Sequence, residues 1–113
     1  MLSEAEGCDI LHAVFRARGY QTRANVVFAE EGVEFDADGW DPATRVGFEY
    51  MSSETGDHDD LNPGELARLA ARMERGELFF LIIDESEVPD EATLRWAAEH
   101  FLDEVARRRG GAT

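Results

Sequence analysis

The sequence contains no lysine, a single cysteine (Cys8) and no apolar run longer than the six residues 78–83. Each absence excludes something. Without lysine there is no ammonium group for Schiff-base or lysine-assisted proton chemistry. One cysteine forbids an intrachain disulfide and calls for no oxidising compartment. Six apolar residues make a strand, not a bilayer-spanning helix, so no membrane association is expected. Glycine-rich phosphate loops, a nucleophile-elbow serine and paired CxxC motifs are also missing. Positive charge is scarce: eleven arginines stand against 25 acidic residues, a net charge of −14. A field of that sign repels phosphate backbones and argues against nucleic acid as a partner. It suits solubility, a basic protein partner, self-association or a bound cation.

What is present makes one domain. The 113 residues leave no room for a second core, and 43% hydrophobic residues suffice for one. The first residues, Met-Leu-Ser-Glu-Ala-Glu-Gly, are acidic where a secretory leader is basic, and the cytoplasm is the expected location.

Ser3 followed by Glu6 forms a capping box, and a helix is predicted over residues 4–18 with Leu11, Val14 and Phe15 on its apolar stripe. Three strands follow: residues 25–30, a tight turn at Glu31-Gly32, residues 33–38, a turn over 39–44, and residues 45–50. Alternation puts Val33, Phe35, Ala37, Val46, Phe48 and Tyr50 on apolar faces, with Glu34, Asp36, Asp38 and Glu49 on an acidic one. Asn62-Pro63-Gly64-Glu65 opens a second helix that Gly76 ends. Residues 78–83 read as a strand covered on both faces. Residues 84–90 are a loop and 90–108 a last helix. The order α-β-β-β-α-β-α implies an α/β (α+β) domain, its mixed central sheet holding an antiparallel meander flanked by helices.

That order carries two motifs, Asp38-Gly39-Trp40-Asp41-Pro42 and, eleven residues after Asp38, Gly47-Phe48-Glu49-Tyr50-Met51. Together they resemble the restriction-endonuclease-like core of the PD-(D/E)XK nuclease superfamily over roughly residues 3–84. The resemblance implies that Asp38 and Glu49 bind a divalent cation, Mg²⁺ or Mn²⁺, with Glu4 or Glu6 as a first-helix acid. It also implies a lysine two residues after the glutamate, to help activate water. Met51 occupies that position, and methionine neither carries charge nor donates a hydrogen bond. The cations the sequence offers in its place are arginines such as Arg68 or Arg72, which are poor proton-transfer residues. The resemblance therefore points to a degenerate member without the catalytic apparatus.

Converging oxygens at Glu34, Asp36, Asp38 and Glu49 suit a hard cation, while a solvated sheet face partly neutralised by Arg45 explains the same alternation. His58, in Gly56-Asp57-His58-Asp59-Asp60, lacks the ligand spacing of a calcium loop and reads as part of an acidic loop. His12 lies on a helix and needs no special role. Cys8 sits in a helix first turn without an identifiable base, and reads as a small buried hydrophobe. In the last helix, Leu94, Ala98, Phe101 and Val105 line one face, and Trp96 points the other way beside Glu99, His100 and Asp103. Trp96, His100 and Trp40, the last at a predicted turn tip, are the candidate partner-binding residues. The expected function is a noncatalytic protein-binding module on a degenerate nuclease-like fold. The alternative is a metal-dependent phosphodiesterase using Asp38 and Glu49.

Overall fold

The computed structural model describes residues 2–51 and 61–110; His58 lies outside them. Helix α1, Glu4–Ala17, starts where Ser3 accepts the Glu6 amide proton at 3.1 Å and Glu6 returns the bond to the Ser3 amide at 3.0 Å. Strands β1 (Arg23–Glu30) and β2 (Val33–Asp41) are joined by Glu31-Gly32, with φ of 46° and 82°. Two consecutive positive φ angles match the twist of the flanking strands, which is why a two-residue hairpin selects glycine here. Strand β3 (Val46–Met51) follows, then α2 (Pro63–Glu74), β4 (Phe79–Asp84), a short 3₁₀ turn over Glu85–Glu87, and α3 (Glu91–Arg108).

The sheet order is β1-β2-β3-β4, antiparallel through β3 and parallel between β3 and β4. Helix α2 is the crossover that the parallel pair requires. Alternate residues of β4 serve two cores. Phe79, Leu81 and Ile83 join α1 and α3, whereas Phe80 and Ile82 join Leu66 and Leu69 of α2. The six-residue apolar run is thus covered on both sides, as its composition requires.

Two expectations are corrected. Residues 39–44 are not all turn, because β2 continues to Asp41 and Trp40 is a core residue with 5% of its surface exposed. The reason is a pair of cross-strand matches, Gly39 with Phe48 and Trp40 with Gly47. A Cβ on Gly39 would overlap the Phe48 ring, and one on Gly47 would lie 2.8 Å from both Trp40 and Phe80. Each glycine yields its space to an aromatic ring, and Trp40 stacks on Phe80 at 4.7 Å and 14°. A tryptophan held so is unavailable to a partner.

The second correction concerns the acidic face. Val33, Phe35 and Ala37 join the α2 core, but so does Trp40, so the alternation of β2 slips one residue at Asp38-Gly39. Asn25 lies opposite this slip and adopts φ 54°. Glu34 and Asp36 are exposed as expected, Asp38 is half-buried, and Glu49 is buried with 3% exposure. The four carboxylates do not share one solvated face.

Candidate functional site

A cavity of about 420 Å³ lies between α1 and the β1–β2 hairpin, lined by Glu4, Cys8, Asp9, His12, Asn25 and Asp38 among others. Its place follows from the slip. The ladder between β2 and β3 runs only from Asp41 to Gly39, so at Asp38 the two strands part. Side chains bridge the opening: the Asp38 amide donates to Glu49 Oε1 at 3.1 Å, and the Tyr50 amide donates to Asp38 Oδ2 at 2.8 Å. The two residues that carry the nuclease resemblance therefore act as acceptors for backbone amides that the sheet has left behind. An unpaired amide there would cost a lost hydrogen bond, so these carboxylates have a structural use independent of any ligand.

Three carboxylates and no arginine stand among the residues that line the cavity. Burial first, and then the charges of Asp38, Glu4 and Glu49, push the Cys8 thiol well above its ordinary range. That thiol stays protonated and unreactive at neutral pH, the opposite of an activated nucleophile. His12 is held by Thr22, its Nδ1 2.8 Å from the hydroxyl oxygen, with its ring edge-on to Phe48 at 4.8 Å. Burial, with the nearby Arg16 charge, lowers its pKa, so the imidazole is neutral. The Cys8 thiol is hydrogen-bonded to the Asp38 carboxylate, a contact that holds the proton on sulfur and does not activate it. Among the described residues no group of three His, Cys, Asp or Glu side chains is arranged to hold a metal ion.

The arginines proposed from sequence as replacements for the missing lysine are elsewhere. Arg72, 8% exposed, binds Glu30 at 3.0 Å, Glu31 at 3.2 Å and Glu77 at 2.8 Å. Arg68 donates to the Gly32 carbonyl. Arg45 does not neutralise the predicted acidic face; it grips Glu30 with two bonds of 2.7 and 2.9 Å. Met51 ends β3 beside Asp84 of β4.

On the far helix, Trp96 is 65% exposed and stacks on His100, ring centroids 5.1 Å apart and planes within 5°. This matches its position opposite the apolar stripe of α3. Glu99 and Asp103 beside it are tied to Arg18, the residue that caps the end of α1, at 2.6 and 2.8 Å. Among the described residues Trp96 and Val27 are the large hydrophobic side chains left exposed. Sequence reasoning missed Asp9 and Asn25 as lining residues. Asn25 carried a usable signal, since asparagine is a poor strand former that tolerates left-handed φ.

No known protein family, curated protein or solved structure matches this chain. The nuclease-like resemblance therefore rests on the chain's own residues. No helix among the described residues is long and apolar enough to cross a membrane.

Proposed function

We propose that the chain is a noncatalytic protein-binding module on a nuclease-like scaffold, and that the Trp96–His100 stack of α3 is its contact point for a basic protein. The observation that carries this reading is the exposure of Trp96, 65% in solvent, with its ring stacked on His100. Tryptophan held in one conformation supplies large contact area at little entropic cost, and such residues dominate interface energetics. The net charge of −14 selects for a partner of opposite sign and speeds the encounter. Asp38 and Glu49 each accept a backbone amide proton, and Met51 stands where water activation would want lysine.

The test is capture from an extract on immobilised protein, followed by titration of the purified partner against wild type, Trp96→Ala and His100→Ala. A basic protein should bind wild type, and Trp96→Ala should weaken it by roughly thirtyfold, as for a central interface tryptophan. A partner that binds Trp96→Ala as tightly as wild type contradicts the reading.

One observation favours a second reading, a divalent-metal-dependent phosphodiesterase. Glu4, Asp38 and Glu49 all bear electrostatically on the same thiol, Cys8, although they come from α1, β2 and β3. Metal-assisted water activation needs oxygen ligands and no lysine. Calorimetric binding of Mn²⁺ to wild type that disappears in Asp38→Asn supports this reading; its absence removes it.

A further inference from the structure

We infer that the chain forms a two-fold homodimer by antiparallel pairing of the outer edges of β1, centred on Val27. This stands independently of the α3 contact point. Strand β1 ends the sheet, and among the described residues it pairs only with β2. An edge strand presents a row of backbone donors and acceptors that another strand can satisfy, and proteins usually blunt it with lysine, proline or a covering element. From Val26 to Glu30 this one has neither residue. It exposes Val27, at 62%, on the face opposite Phe28.

The occupant follows from the register. A two-fold axis perpendicular to the sheet keeps each face on its own side, so residues that come opposite each other must already point the same way. Centred on Val27, the pairing sets the exposed valine against its own copy. It sets Val26 opposite Phe28 of the second copy twice, and both residues belong to the α2 face. Centring on Val26 would face Val27 with Asn25 and Arg23 with Ala29; centring on Phe28 would face Val26 with Glu30. Only the Val27 register sets all three large apolar side chains of the strand, Val26, Val27 and Phe28, opposite one another. It also merges two four-stranded sheets into one of eight strands.

Sedimentation velocity over a range of concentrations tests this with wild type and Val27→Arg. Each copy carries a charge of −14. General repulsion would therefore make Val27→Arg associate more readily, because it removes negative charge. The register argument has the opposite sign: two arginines meet on the axis and association weakens by roughly tenfold. Rising salt should strengthen the wild-type dimer by screening. A second measurement keeps the register falsifiable. In a Cys8→Ser background, Val27→Cys should oxidise to a covalent dimer, because directly opposed Cβ atoms lie within disulfide reach. Ala29→Cys, which faces Asn25 of the second copy, should not. Wild type that stays monomeric at the highest concentrations, or equal cross-linking by the two cysteine variants, overturns the proposal. Val27 is outside both cores, so the variants are expected to keep the wild-type circular dichroism.

Discussion

The two ends of the β1–β2 hairpin are both crowded with carboxylates, and they solve the crowding differently. At the turn end, Glu30, Glu31 and Glu77 surround Arg72, and Arg45 adds two further bonds to Glu30. At the other end, Glu4, Asp9, Asp38 and Glu49 gather around Cys8 without an arginine among the cavity's lining residues. Guanidinium compensates the first cluster, whereas in the second backbone amides bond to Asp38 and Glu49. The arginine-bound carboxylates titrate low: Arg45 and then Arg72 bring Glu30 down to about 2, and Arg75 with Arg72 does the same for Glu77. At the cavity end the negative charge is felt instead by the thiol, which is pushed up. A count of acidic residues therefore says little until their partners are known.

Removing the cation from the compensated end should have the largest effect. Arg72→Met leaves three carboxylates around a nearly buried position and should cost about 2–4 kcal/mol in urea denaturation. A loss below that range would mean water, not arginine, screens this cluster.

Acidification sharpens the same contrast. Glu30 falls from an ordinary 4.5 to about 2 in the folded state. Its stabilisation is fully present above pH 4.5 and lost as pH drops through about 2. With a third of the side chain in solvent, the contribution is about 1 kcal/mol after screening. Glu30→Gln should remove that slope from a stability-versus-pH series and lower stability at neutral pH.

Asp38→Asn should leave stability nearly unchanged, because an amide oxygen still accepts the Tyr50 N–H, while Asp38→Ala should cost about 1–2 kcal/mol. Both remove a charge beside Cys8, so alkylation of the thiol at fixed pH should quicken relative to wild type. Trp96→Ala should alter stability least, within about 0.5 kcal/mol, since the ring packs on nothing but His100 among the aromatic side chains.

Element order was legible because each signal was local: the Ser3–Glu6 and Asn62–Glu65 capping boxes, the Glu31-Gly32 turn, the apolar run before Asp84. Trp96 could be placed on the exposed face of α3 from helical periodicity alone. The exposed acids at Glu34 and Asp36 followed from strand periodicity in the same way. What failed was non-local. That β2 reaches Asp41 depends on Gly39 and Gly47 meeting rings from neighbouring strands, and neither glycine announces its cross-strand partner. Glu49 went from a predicted solvated face to a buried acceptor because β2 slips at Asp38-Gly39, and the slip is visible only once β1 and β3 lie alongside. Arg72 looked like a free helix cation; only the fold brings Glu30 to it.

The central claim is that Asp38 and Glu49 serve the backbone, each accepting an amide proton where β2 and β3 part. Calorimetric titration of the wild-type protein with Mg²⁺ and Mn²⁺, repeated on Glu49→Ala, tests it most directly. The account expects no saturable heat from wild type, and a Glu49→Ala protein that is less stable by about 1–3 kcal/mol because the Asp38 amide loses its acceptor. Stoichiometric binding to wild type that vanishes in Glu49→Ala would contradict it and move the cavity from scaffold to metal site.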